Sequence, residues 1–181
     1  MLSLVSSLFD QEFGHSCNTL LLGGADEPLY LPADSVNPGN RLFFRQDYLS
    51  SALHEIAHWC IAGQARLKLE DFGYWYNPDG RTAQQQRTFE AAEVKPQALE
   101  WMFSIACGHR FRLSADNLDG RSDAGQLASN EFANAVVDQA RLWCKEGRLP
   151  IRGERFLSRL TTSCDGVKAT NPAHYQLTNI V

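Results

Sequence analysis

The sequence predicts an α+β fold, a single domain over residues 1-181 with helices packed on a small sheet. Short apolar runs bounded by Gly, Pro and Asn fill residues 20 to 45, as strands and turns do. A stretch of helical periodicity follows directly and carries His54-Glu55-Ile56-Ala57-His58. From residue 82 onward, apolar positions recur mainly at helical intervals.

Leu4, Val5, Leu8 and Phe9 share helical spacing, so the chain should open with an amphipathic helix. The same segment has no positive leader and no apolar run suited to export. Leu20-Leu21-Leu22 is an apolar run closed by the turn residues Gly23-Gly24-Ala25-Asp26-Glu27-Pro28. Leu29-Tyr30-Leu31 reads as a short strand ended by Pro32, and Arg41-Leu42-Phe43-Phe44-Arg45 as another, with a loop over residues 34 to 40 between them.

Asp47 is placed to cap the helix carrying the two histidines. Leu49, Leu53, Ile56, Ala57, Cys60 and Ile61 form its buried stripe, and Gly63 is its expected stop. A strand followed closely by an H-E-x-x-H helix is the local order of zincin-like metalloenzymes, which is an analogy of fold. The aromatic-dense, Gly- and Pro-punctuated residues 72 to 81 suggest a loop or a short strand and turn. Helical spacing covers residues 82 to 107 except at Pro96, where the helix should kink or a new one begin. Residues 114 to 128 are polar and turn-rich, 131 to 146 read as an amphipathic helix, and 156 to 160 belong to one more. The tail from residue 163 looks loosely structured.

Composition narrows the function. The 181 residues are 44% hydrophobic and 21% charged, with a formal net charge of −4, which suits a globular chain and offers no nucleic-acid surface. The basic-richest stretch, residues 141 to 155, also holds Glu146 and Glu154. No segment has the roughly 20 apolar residues of a membrane span. Five cysteines, odd in number and without a C-x-x-C pair, fit reduced thiols and a cytoplasmic location.

The chemistry resides in the histidine helix. Residues four apart lie on one face, so His54 and His58 can reach one metal ion without backbone distortion. Two imidazoles need a third protein ligand. The extended pattern H-E-x-x-H-x-x-G-x-x-H would put Gly at 61 and His at 64, but the chain has Ile61 and Gln64. His109, after Gly108 at a helix end, is more readily a capping or surface residue. Glu90 and Glu93 share roughly one helix face just before Pro96, and Glu100 lies two turns beyond Glu93. Glu93 is favoured as ligand, because the disruption beside it can aim its carboxylate, with Glu90 the close alternative. Such a set serves zinc hydrolysis with Glu55 as base, or an iron facial triad open to dioxygen. Spacing alone favours the zinc metallopeptidase reading. A non-catalytic protein with a closed structural metal site is a third.

Longer motifs shift that balance. Ala52-Leu53-His54-Glu55-Ile56-Ala57-His58-Trp59-Cys60-Ile61-Ala62-Gly63, Asp71-Phe72-Gly73-Tyr74-Trp75-Tyr76, Pro78-Asp79-Gly80-Arg81 and Glu93-Val94-Lys95-Pro96-Gln97-Ala98-Leu99 resemble the elongation factor P hydroxylase family, as does Asp26-Glu27-Pro28-Leu29-Tyr30-Leu31-Pro32-Ala33-Asp34. The resemblance is densest over residues 26 to 101 and fades towards the C-terminus. It implies a zincin-like scaffold and a non-haem iron enzyme using Fe(II) and dioxygen, with zinc a possible occupant as isolated. The implied reaction hydroxylates the β-lysylated lysine of elongation factor P. His54, His58 and Glu93 would hold the metal, and Glu55 would move a proton or orient bound water. A long side chain with a cationic tip calls for aromatic walls and acidic groups, which Asp71, Tyr74, Trp75, Tyr76 and Asp79 can supply. Trp59 and Cys60 follow the second histidine, and helical phase turns Cys60 away from the metal face as a buried thiol.

Overall fold

The computed structural model describes residues 1–46, 48–71, 81–114, 130–164 and 167–180. Asp47, Tyr74, Trp75, Tyr76, Asp79 and almost all of the turn-rich 114 to 128 region lie outside the described residues.

Helix α1 (Leu2–Phe9) buries Val5, Leu8 and Phe9, while Leu4 of the expected apolar set is exposed, and it runs on into a π-helical turn at Asp10–Gly14. Strands β1 (Thr19–Ala25), β2 (Leu29–Leu31) and β3 (Asn40–Arg45) form a sheet of order β1-β3-β2. β3 runs parallel to β1 and antiparallel to β2. Leu21 and Tyr30 both pair with Leu42, and all three are buried, because residues opposite each other in a sheet project from the same face. β1 does not stop at its two glycines. Its register slips between Leu22 and Ala25, where Gly24 takes a φ of +80° and donates its N–H to the Gln46 carbonyl at 3.1 Å. Glycine adopts that left-handed conformation without steric cost, so the pair makes an irregularity within the strand rather than its end.

Four longer helices follow: α2 (Leu49–Ile61), α3 (Ala83–Ala106), α4 (Asn130–Glu146) and α5 (Ile151–Ser163). α2 buries Ala52, Leu53, Ile56, Ala57, Trp59 and Cys60, while Leu49 and Ile61 pack at the edge of the core. Tyr48 is its N-cap, without a side-chain hydrogen bond, one residue later than the Asp47 expected from sequence. At the other end Ala62 turns extended, and Gly63 follows without the left-handed conformation expected of a glycine stop.

α3 starts with a capping box in which Thr82 and Gln85 satisfy each other's backbone N–H groups. It continues unbroken through Pro96, where a kink or a fresh start was expected. An internal proline costs about 3 kcal/mol. Every residue from Pro96 to Ser104 is buried, and Leu99, Met102 and Phe103 alone offset that cost at roughly 1.5–3 kcal/mol each. Gly108, at φ +65°, ends the helix, and the His109 N–H returns to the Ser104 carbonyl at 2.8 Å.

α3 is the central helix and packs on α2, α4 and α5. Phe9, Phe13, Trp59 and Phe156 form an aromatic cluster with ring centroids 4.8–6.2 Å apart, and Phe103 of α3 joins it through Phe156 at 5.2 Å. The tail is better ordered than its sequence suggests. It forms two short 3-10 turns, and Tyr175 is fully buried with its ring edge on Trp101 at 4.9 Å. One aromatic side chain seated on α3 fixes a segment whose composition alone reads as loose. No helix among the described residues is long and apolar enough to cross a membrane.

Candidate metal centre

The opposite side of α2 from its apolar stripe carries His54, Glu55 and His58, and it meets α3 at Glu93 and Glu100, between which Gln97 lies hydrogen-bonded to Glu93. Residues 93, 97 and 100 follow one another at i, i+4 and i+7, so a single face of α3 presents all three. They are almost completely buried, with 1%, 1% and 6% of their surface exposed, whereas the His54 and His58 side chains keep 24% and 22%.

The donor atoms converge. His54 Nε2 and His58 Nε2 are 3.0 Å apart, Glu93 Oε1 is 3.2 Å from His58 Nε2, and Glu93 Oε2 is 3.6 Å from His54 Nε2. Ligands about 2.1 Å from one ion lie roughly 3.0–3.4 Å from one another, so these separations fit one metal centre. Among the described residues this is the only group of three such side chains whose donor atoms lie within 4.8 Å of each other. Glu90, the alternative to Glu93, is not in the group and accepts from Gln86 Nε2 at 3.2 Å. His109 is not in it either.

The tautomer of His54 follows from Glu100. Glu100 Oε2 lies 2.8 Å from His54 Nδ1, which must therefore carry the proton, leaving the Nε2 lone pair for a cation. Carboxylate–histidine pairs of this kind hold metal-binding imidazoles in place. Two Nε2 lone pairs facing each other at 3.0 Å repel unless a proton or a metal ion lies between them. The charges require the same thing. Burial disfavours a charged His54, yet the hydrogen bond to Glu100 and the negative charges of Glu93, Glu100 and Glu55 outweigh it and raise its pKa well above the usual imidazole value. Burial also opposes the Glu93 carboxylate, but the hydrogen bond and charge of His58, the charge of His54 and the Gln97 amide hold its pKa down at about 2. Burial pushes Glu100 and Glu55 up. Three carboxylates gathered around two imidazoles suit a divalent cation.

Glu55 differs from its neighbours. It is half-buried, and its carboxylate has no hydrogen-bond or ion-pair partner among the described residues, so it is available to take up or give a proton at the cluster. Cys60 is buried on the far side of the helix, and burial pushes its thiol far up, which makes it inert. Asp71 sits at the sheet edge. Its backbone pairs with Tyr30 and its carboxylate meets Arg66 Nε at 2.5 Å.

A model of the family described as Elongation factor P hydroxylase matches residues 8–173. The chain belongs to that family. A relative from Haemophilus influenzae, Elongation factor P lysine hydroxylase, is 46% identical over 176 residues, which cover 97% of this chain and 96% of the relative. In this elongation factor P hydroxylase family member, H-E-x-x-H therefore lies in a chain of a hydroxylase family, whereas its spacing alone favoured a hydrolase.

Three residues escaped sequence reasoning in their observed roles. Glu100 was weighed as a ligand but grips His54 instead. Gln97 touches Glu93, and Arg152 reaches from α5 to donate to the carbonyls of Trp59, at 2.7 Å, and Ala62. The Arg152 guanidinium also stacks 4.6 Å above the Trp59 ring, so it caps the C-terminal end of the histidine helix. The one available signal was the polar row 93, 97, 100 in an otherwise apolar helix half. Nothing local marks Arg152, which is 90 residues from the carbonyl at Ala62.

Proposed function

We propose that this chain is a cytoplasmic, iron- and dioxygen-dependent hydroxylase of the β-lysylated lysine side chain of elongation factor P. The observation that carries the proposal is the set of two imidazole nitrogens and one carboxylate, converging from α2 and α3 in a chain of a hydroxylase family. His54, His58 and Glu93 would hold Fe(II), and the bound iron would supply the activation of dioxygen that an unaided protein side chain cannot. A strand leading into an H-E-x-x-H helix beside a small sheet fits the zincin-like scaffold that the family resemblance implies.

The chain's own residues do the rest. Glu100 keeps His54 in the tautomer whose Nε2 faces the cluster. Glu55, without a partner among the described residues and raised in pKa by burial, would take up and release a proton beside the cluster. Inserting one oxygen atom into a C–H bond sends the other to water, which takes two protons and two electrons from a donor outside this chain. Asp71, Tyr74, Tyr76 and Asp79 are assigned to the cationic, flexible substrate arm. The carboxylate of Asp71 already faces Arg66, so its contribution is as one half of an ion pair.

The test combines purified protein, iron, oxygen, a reductant and β-lysylated elongation factor P. The expected product is that lysine heavier by one oxygen atom, and the gain disappears with His54→Ala or His58→Ala. The zinc metallopeptidase alternative draws on Glu55, a carboxylate next to the cluster with no partner among the described residues. It requires peptide cleavage by the zinc-loaded protein that Glu55→Gln abolishes. Hydroxylation surviving both histidine changes would sink the site assignment.

A further inference from the structure

We infer that Gln97 is a positioning residue that holds Oε2 of Glu93 and so fixes how its carboxylate meets the two histidines, and that the backbone at Ser114 locks Gln97 in that orientation. The inference rests on the metal site proposed above. Gln97 is 1% exposed and lies one helical turn beyond Glu93. Its Nε2 donates one hydrogen to Glu93 Oε2 at 3.0 Å and the other to the Ser114 carbonyl at 2.7 Å, while its Oε1 accepts the Ser114 N–H at 3.0 Å. A primary amide has two donor hydrogens and one carbonyl, so both donors are used and the carbonyl is engaged.

Ser114 settles which end of the amide is which. Its N–H needs the carbonyl oxygen and its C=O needs the NH2 group. Flipping the amide would set oxygen against the Ser114 carbonyl and against the Glu93 carboxylate, and would set NH2 against the Ser114 N–H. All three contacts would turn repulsive, and the one to Glu93 is buried, where unsatisfied polar groups cost most. The backbone contact thus guarantees that a donor, never an acceptor, points at Glu93. That donor engages Oε2, and Oε1, 3.2 Å from His58 Nε2, is the oxygen held closest to the imidazoles and presented to a cation. Glu93 is then presented to the site chiefly through one oxygen, in a fixed rotamer. Ser114 is 17 residues along the chain from Gln97, so the link ties the stretch leaving α3 to the ligand that α3 bears.

Cobalt(II) titration read by visible absorption tests this, since band intensity reports coordination number. Gln97→Met keeps length and apolar bulk but has no donor. With far-UV circular dichroism unchanged, it should bind cobalt about 10- to 100-fold more weakly, the usual effect of losing a partner that orients a ligand. Its visible band should also change, because Glu93 becomes free to bind through both oxygens. In a Glu93→Ala background, Gln97→Met should cost no further affinity, since there is no carboxylate left to position. A folded Gln97→Met protein with wild-type affinity and spectrum overturns the inference, as does an equal loss in the Glu93→Ala background. If Gln97→Met does not fold, the wild-type protein still decides the matter. The side-chain amide of Gln97, followed by 15N NMR, should exchange slowly and shift on saturation with zinc; an unshifted signal overturns the inference. Wild-type protein that binds neither cobalt nor zinc would remove the metal site itself, a result distinct from any of these.

Discussion

α2 and α3 both contribute to the cluster, but they hold their polar groups in opposite ways. α2 is amphipathic. Its apolar stripe enters the core, and its histidines keep about a quarter of their side-chain surface in solvent. α3 is buried nearly all round in its second half and carries two carboxylates and an amide inside. Neutral imidazoles at the edge of a core cost little. Buried carboxylates cost several kcal/mol unless paired, and breaking such a pair is worse than never forming it. The electrostatic cost of the site therefore falls on α3, and a cation that offsets it would take two of its three proposed ligands from α2. Each helix makes physical sense only in the presence of the other and of positive charge.

Removing a group from each kind of surface gives the largest expected contrast. Glu93→Ala should weaken zinc or cobalt binding by more than about 100-fold, beyond the effect of losing an outer partner, and should abolish hydroxylation. Leu53→Ala, on the fully buried face of α2, should instead lower the unfolding free energy by about 2–5 kcal/mol through the cavity it leaves. The affinity of the Leu53→Ala protein that remains folded should stay within a few-fold of wild type. Metal titration and chemical denaturation of both variants check this. Equal loss of affinity in the two would show that the faces of α2 are not independent.

The same contrast explains what the sequence made legible. On α2 the information is local: the stripe at 53, 56, 57 and 60 and the histidines at i and i+4 follow from periodicity, and the structure has them where periodicity puts them. β2 and most of β3 were equally readable from short apolar runs between turn residues. On α3 the information is tertiary. Continuity through Pro96 depends on burial that no local rule reports, and helical phase alone could not rank Glu90, Glu93 and Glu100. What separates them is the presence of two imidazoles across the helix interface. The Gln97–Ser114 and Arg152–Trp59 contacts span 17 and 93 residues, and such pairings leave no periodic trace.

The charge difference between the helices should appear in the pH dependence of stability. The pKa of Glu93 is held at about 2 against an ordinary 4.5, so its contribution is present above 4.5 and is lost as pH falls through 2. His54 is raised well above 6.5, so its contribution is complete below 6.5 and is lost as pH rises through the raised value. Glu55 and Glu100, both raised by burial, add instability as they ionise above 4.5. The metal-free protein should thus be most stable in mildly acid solution and melt lower towards pH 8.5. Each tenfold displacement of a proton equilibrium is worth about 1.4 kcal/mol, or roughly 3–6 °C at this chain length. Saturating zinc should reverse the slope, because the metal binds only unprotonated imidazole and stabilises in proportion to its occupancy. Melting curves from pH 5 to 8.5, with chelator and with zinc, test both signs. Parallel curves would mean that no proton leaves when the metal enters.

The smallest effect concerns the end of α2 rather than its faces. Its first turn has no side-chain cap among the described residues, whereas at its last turn Arg152 donates to the Trp59 and Ala62 carbonyls and stacks on the Trp59 ring. A cation at a helix C-terminus contributes about 0.3–1 kcal/mol, and up to about 2 when partly buried. Arg152→Met keeps most of the apolar stem and removes the donors and the charge, so a loss of about 1–2 kcal/mol is expected. Trp59 adjoins His58 and is wedged between Phe9 and Phe13, at 5.1 and 4.8 Å, so the aromatic cluster keeps the helix seated without the cap. Metal affinity should therefore drop by no more than a few-fold. A drop as large as that of Glu93→Ala, measured by the same cobalt titration, would mean that the cap rather than the aromatic wedge sets the position of the second histidine.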